Sequence, residues 1–346
     1  MKILAIDYIT VFGHRNFNKI HVEALSHAGH SLHVIGRKEA LASVKCTDNV
    51  TVTVLPEWGH RSFPLKSFSE RIKNIAILYW IGKNINIDSY DIVVFLAYDV
   101  ISLYMFKTSK PVFIINHNNI AQLDNCLKLF LTRHLPANYM HIALSIDAEK
   151  RLKQIVSEKI IYYVPHGYVK EKGKATRPSF FEDEDIFLFC PVNGNYDKDF
   201  VRKMFDFEKL RRLLTERNIK VIAKSKPFQS IENERLVKLE GRITEEEYRY
   251  LLCNALAVVL PYSDEFKYRC SGILYECIAA DTPVIARNIE AMKAYMNTIQ
   301  IELFKTVEDF VECINMILMQ GKKSTDTTKY EPDSYWRALL EVYRQR

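Results

Sequence analysis

No stretch of this sequence is long and apolar enough to cross a bilayer. The longest candidate, IVVFLAYDVISLYMF over residues 92–106, is interrupted by Asp99, whereas a spanning helix needs about 20 apolar residues. The amino-terminal run MKILAIDYIT carries Asp7 inside its apolar centre, which argues against a secretory signal. The seven cysteines (Cys46, Cys126, Cys190, Cys253, Cys270, Cys277 and Cys313) include no CxxC pair, so a zinc ribbon and a thioredoxin-type motif are not expected. Several lie in apolar runs such as IFLFCP, where a thiol serves as a small core residue, and thiols kept reduced point to the cytoplasm. There is no block of Lys and Arg with interleaved aromatics, so the net charge of +6 does not imply nucleic acid. His27, His30 and His33 do not make a metal site, because Gly29 breaks the helix between them and His33 belongs to a strand. The first apolar run leads into Tyr8-Ile9-Thr10-Val11-Phe12-Gly13 without a G-x-G-x-x-G, which disfavours a nicotinamide-dependent dehydrogenase. No short repeat is visible.

What is present is a chain of 346 residues, 48% hydrophobic and 26% charged, too long for one ordinary core. Short β-rich runs alternate with amphipathic stretches, the pattern of parallel α/β architecture. Strands are expected near residues 2–7, 31–35, 50–55, 92–96, 112–115, 141–144 and 160–164. After a polar stretch at 170–185 they resume near 186–191, 220–225, 235–241, 257–262, 283–287 and 298–303. Runs such as IVVFL and VFIIN are apolar throughout, as expected where helices cover both faces of a sheet. Expected helices include 69–84, 123–134, 199–217, 245–254, 272–280, 307–320 and a terminal helix near 334–344. The reading is α/β with two Rossmann-like domains: an acceptor-side domain at 1–168, a donor domain at 169–332, and a terminal helix at 333–346 on a helical period suited to packing back on the first domain.

The most informative block is Glu240-Gly241-Arg242-Ile243-Thr244-Glu245-Glu246-Glu247-Tyr248, then LLCNALAVVLPY, then YRCSGILYECIAADTPVIA. Thr244 and Glu247 have the spacing of a capping box. A strand closing at Pro261-Tyr262 leads through a loop to Ser271-Gly272, where a helix begins. The unpaired amides and the dipole at a helix start favour an anion, and Gly272 permits close approach to the backbone. Arg269 and Lys267 stand just upstream to neutralise charge. Glu276, one turn in, is placed to accept hydrogen bonds from ribose hydroxyls. Together they fit a nucleoside diphosphate.

This block resembles GT-B glycosyltransferases, particularly the retaining enzymes of family 4, at Gly241, Ile243, Pro261, Gly272, Glu276, Ala279, Pro283, Val284 and Ile285. HVEALSHAGHSLHVIG and Pro165-His166-Gly167 match the same family more loosely. Three departures stand out: Tyr268 occupies the place of the first of the paired glutamates, Asp281 replaces the usual glycine, and Lys198, Lys224 and Lys226 stand in for the phosphate-binding cations. The resemblance implies two Rossmann-like domains facing across a cleft, with donor-binding residues Glu276, Ser271, Gly272, Arg269, Lys224, Lys198, His166 and Gly167. On the acceptor side, strand-end residues Gly13, His14 and Asn116 are expected at the cleft, with His117 as the catalytic base or a group orienting a sugar hydroxyl. The implied activity is metal-independent transfer of a sugar from a nucleoside-diphosphate sugar to a glycan or lipid-linked hydroxyl, in surface polysaccharide synthesis and with no separate cofactor. The basic, aromatic-rich stretch from Trp58 to Trp80, with Arg61, Lys66, Arg71 and Lys73, is expected to rest on a membrane surface. Two alternatives are a GT-B sugar-nucleotide epimerase and a binding protein that kept the fold and lost turnover.

Overall fold

The computed structural model describes residues 1–9, 15–42, 44–61, 63–64, 67–117, 119–156, 160–168, 174–181, 186–241, 243–266, 268–296, 299–323 and 328–344. Among them, thirteen strands form two sheets, and every pairing between these strands is parallel. The first comprises β1 (Lys2–Asp7), β2 (Ser31–Gly36), β3 (Val50–Val54), β4 (Ile92–Ala97), β5 (Val112–Asn116), β6 (Tyr139–Ala143) and β7 (Ile161–Tyr163), in the order β3-β2-β1-β4-β5-β6-β7. The second comprises β8 (Ile186–Cys190), β9 (Ile219–Lys224), β10 (Leu236–Leu239), β11 (Ala257–Leu260), β12 (Val284–Arg287) and β13 (Ile301–Phe304), in the order β10-β9-β8-β11-β12-β13. Each sheet belongs to its own compact unit: Met1–Gly167 with Lys329–Arg346, and Tyr168–Thr328.

The apolar runs explain the sheets. All residues of IVVFLA in β4, VFIIN in β5 and AVVL in β11 are buried, which requires helices on both faces. In both sheets the strand order reverses beside the first strand, between β1 and β4 and between β8 and β11. Such a reversal leaves a crevice at the carboxyl ends of the strands, where ligands of open α/β sheets bind. Gly36 closes β2 because nothing larger fits: a Cβ there would lie 2.8 Å from the Asp7 carbonyl oxygen at the end of β1. The helix Pro332–Arg344 belongs to the first unit and packs on the helix Arg15–His27. Its Tyr343 ring lies 4.5 Å from that of Phe113 in β5.

Three expectations are corrected. The single helix expected over 199–217 is two, Lys198–Met204 and Glu208–Glu216, because Phe207 takes an extended conformation between them and caps the second. A helix not foreseen, Val100–Met105, follows β4, started by the Asp99 side chain accepting from the Ser102 amide. Lys73, expected on a basic surface, is buried. Its ammonium donates to Glu70 Oε2 at 2.6 Å and to the Arg61 carbonyl at 3.0 Å, and Arg37 approaches the other Glu70 oxygen at 3.9 Å. Arg61 stays exposed and Arg71 half-buried, and Phe68, Ile72 and Tyr79 of the helix Phe68–Asn84 are exposed.

Two buried histidines give the first unit a pH dependence. Burial pushes His21 down to about 3, with His166 adding to the shift, and burial alone pushes His141 down to about 4. Both are neutral when folded and titrate near the ordinary 6.5 when unfolded. The stability they confer is complete above that value and is lost as pH falls toward 4 and then 3, at about 1.4 kcal/mol per pH unit for each. Melting temperature is expected to drop between pH 7.5 and pH 5, and His141→Asn to flatten the drop. An equal slope in the variant would contradict this account.

Candidate functional site

The carboxyl edge of the second sheet gathers most of the expected donor residues. After β11 the chain passes Pro261 and Tyr262, and the Tyr262 ring stacks on Phe266 at 3.8 Å. It then reaches Ser271, which caps the helix Gly272–Ala280 by accepting from the Leu274 amide at 3.1 Å. The Ser271 hydroxyl also shares a 2.8 Å hydrogen bond with the Tyr262 hydroxyl. Ser271 is thus buried and fixed, while Gly272 is exposed and a Cβ added to it would meet nothing within 4 Å. The helix start opens onto free space.

Glu276 follows one turn later on the same face. It is half-buried, and its Oε2 accepts from the Tyr248 hydroxyl at 2.6 Å. Tyr248 stands on the helix Glu245–Asn254, which begins with the expected capping box: the Glu247 amide donates to Thr244 Oγ1 at 3.1 Å and the Thr244 amide to Glu247 Oε2 at 2.9 Å. These bonds hold the Glu247 carboxyl below its usual range. Just before the helix, Gly241 takes φ +75°, a conformation side chains disfavour.

The loops after β8 and β11 are tied across the strand reversal. The Asp197 amide donates to the Pro261 carbonyl at 2.7 Å, and the Ser263 amide to that of Asn195 at 2.8 Å. Lys224 ends the neighbouring β9. It is half-buried, and burial pushes its ammonium below the usual lysine range with no carboxylate opposing the shift. Arg269 is also half-buried, and its Nε has no hydrogen-bond partner. Burial lowers its pKa while Glu265 pulls it the other way. Lys198 differs: it is exposed at the first position of its helix. Its neighbour Asp197 pairs with Arg287 at 2.9 Å.

The remaining candidates belong to the first unit. His166, expected among the donor contacts, is buried there, with its ring 5.2 Å from Phe17 and 6.0 Å from His117. Its Nδ1 donates to the carbonyl of Gly167, itself buried, so the proton sits on Nδ1 in the neutral ring. His117, just beyond β5, is half-buried against Phe17 at 5.2 Å. Asn116 is a strut of the sheet. Its Oδ1 accepts from the Tyr98 hydroxyl at 2.6 Å, and its amide donates to the Ile114 and Ile142 carbonyls at 3.1 Å each. That leaves it no spare donor for a sugar. Gly13, His14, Lys66, Arg242 and Lys267 lie outside the described residues.

Tyr248, Tyr262 and the Asp197–Arg287 pair were not foreseen as parts of the donor region. The only sequence signal for Tyr248 is its place one turn into a well-capped helix, which does not reveal that it faces Glu276.

No protein-family model matches this sequence, and a search of curated proteins finds no match. Solved structures match along the whole chain. The lipopolysaccharide outer core galactosyltransferase WaaB superposes with TM-score 0.62 at 16% identity, covering 100% of both chains. UDP-GlcNAc 2-epimerase of Methanocaldococcus jannaschii, in complex with UDP-GlcNAc and UDP, gives 0.60 at 13% identity, again over 100% of both chains. HepE of Anabaena, in complex with UDP and glucose, gives 0.63 at 12% identity over 100% of this chain and 99% of that one. The fold is GT-B: two Rossmann-like parallel sheets, of seven and six strands, as the sequence block around Gly272 leads one to expect.

One departure from the family pattern has a structural consequence. Asp281 ends the helix Gly272–Ala280 in the left-handed conformation, φ 52° and ψ 41°, where glycine carries no steric penalty. Asp281→Val is expected to lower stability by about 1–2 kcal/mol, and Asp281→Gly to leave it unchanged or raise it. Thermal melts of the two variants check this; equal losses would show that the left-handed cap is not the cause.

Proposed function

We propose that this chain is a metal-independent glycosyltransferase that moves a sugar from a nucleoside-diphosphate sugar to a hydroxyl of a glycan or lipid-linked acceptor, on the cytoplasmic side, in surface polysaccharide synthesis. The observation that carries the reading is the open helix start at Gly272, with Glu276 one turn behind it, at the strand reversal of the second sheet. Ser271 takes up the Leu274 amide, which leaves the Gly272 and Ile273 amides to the diphosphate. Arg269 and Lys224, both half-buried cations, offset charge as the diphosphate departs; fixed donors of this kind act without reorganising during the reaction. Glu276 accepts from the ribose hydroxyls. His117, beside His166, orients the acceptor hydroxyl or takes its proton. HepE and the archaeal epimerase bind uridine nucleotides in their crystals, which supports a nucleotide-sugar donor. Lys198, fully solvated, contributes least.

In a thermal-shift screen, UDP or GDP is expected to raise the melting temperature, by the equivalent of about 2.7 kcal/mol at a hundredfold excess over Kd. Glu276→Ala should reduce the rise. Supplied with a nucleotide sugar, the protein should give glycosylated product only with an acceptor present. Epimerised donor formed without acceptor would instead make it an epimerase, and binding with no product a protein that has lost turnover.

The exposed Phe68, Ile72 and Tyr79 offer an apolar face for the surface that carries a lipid-linked acceptor. Co-sedimentation with anionic liposomes is expected to fall for the triple serine variant. No binding by the wild type would remove the membrane from the account.

A further inference from the structure

Glu276 lies half-buried near the open start of its helix, and a glutamate in such a place ordinarily samples several rotamers. Here it does not stand alone. The Tyr248 hydroxyl reaches Oε2 at 2.6 Å, within the range of a short hydrogen bond to an ionised carboxylate. The phenol is itself held from two sides: the capping box at Thr244 fixes the start of its helix, and the Phe189 ring of β8 meets it edge-on at 5.6 Å. Phenylalanine would fill the same space without bringing a hydroxyl and a carboxylate out of water. The hydroxyl therefore has a purpose that packing does not explain.

We propose that Tyr248 is the positioning residue for Glu276, fixing its carboxylate as an oriented acceptor for the ribose hydroxyls of the donor nucleotide. This rests on the donor reading given above and adds a specificity to it. A carboxylate has about four lone-pair directions, and a donor anchored on a different helix decides how the carboxylate plane is turned. Tyr248 thereby sets the preference for ribose over deoxyribose without touching the nucleotide.

The test compares Tyr248→Phe with the wild type by calorimetric binding of UDP and GDP and of their 2′-deoxy and 3′-deoxy counterparts. The wild type is expected to favour the ribonucleotide. The variant should bind the ribonucleotide about fivefold to twentyfold more weakly, bind the analogue lacking the recognised hydroxyl as the wild type does, and so lose the preference. In turnover, KM for the donor should rise by the same factor with kcat within about twofold. Equal weakening toward ribo- and deoxynucleotides would assign Tyr248 to packing and overturn the proposal, as would unchanged binding of both. Glu276→Ala separates this from failure of the donor reading. If that variant keeps the wild type's preference, or if the wild type has none or binds neither UDP nor GDP, the donor reading falls and the proposal with it. If Glu276→Ala loses the preference and Tyr248→Phe retains it, only the role of Tyr248 is wrong.

Discussion

Everything at the candidate donor site follows from one constraint, the parallel pairing of the strands. In a parallel sheet each connection must return the chain to the starting edge, so every strand ends, and its following helix begins, along one edge. Helix dipoles then add at that edge rather than cancel. In the second unit the order β10-β9-β8-β11-β12-β13 sends successive connections to opposite sides of β8. The loops after β8 and β11 are left to flank an opening. Bonds between Asp197 and Pro261 and between Ser263 and Asn195 keep those two loops in register with each other. The start of the Gly272 helix is consequently exposed by topology, and its chemistry by local sequence.

How much of this was legible in the sequence depends on how local each feature is. The sheets were legible because uninterrupted apolar runs such as IVVFL and VFIIN have no other stable place than a strand covered on both faces. The capping box at Thr244 and the Ser271 cap were legible because each bond spans three residues. The division of 198–216 into two helices was not, because the apolar residues on either side of Phe207 continue a helical period and hide the break. The short helix after Asp99 was hidden because it continues, beyond the strand expected at 92–96, the same apolar run. Lys73 looked like surface charge, and its burial depends on Glu70 beside it and the Arg61 carbonyl twelve residues away. Tyr248 and Glu276 lie 28 residues apart, and only the packing of two helices reveals that they meet.

Both units hold satisfied and unsatisfied buried polar groups side by side. In the first, Asn116 links β5 to β6 and to Tyr98, and the Tyr8 hydroxyl meets Ser102 at 2.7 Å, while Arg37 Nε, Asn74 Oδ1 and His141 Nε2 are buried without a hydrogen-bond partner. Glu70 is held between Lys73 and Arg37. Such satisfied groups rigidify a core. In the second unit, Lys224 and the Nε of Arg269 are partly desolvated without an acceptor, which costs free energy in the folded state. Under the function proposed above, these two cations gain their counter-charge from the donor diphosphate.

The same argument bears on Tyr268, which stands where the enzymes this sequence resembles carry the first of their paired glutamates. Next to Tyr268 stands Arg269, whose loss of charge on burial is opposed by Glu265. A second carboxylate at 268 would pull the arginine away from a diphosphate. Under the function proposed above, recognition of the ribose rests on Glu276, whose carboxylate has to be held in a fixed orientation. Tyr248 supplies that restraint from a helix whose own first turn is locked by Thr244 and Glu247. The loss of one acidic residue and the bracing of the other are, on this view, two sides of one electrostatic arrangement.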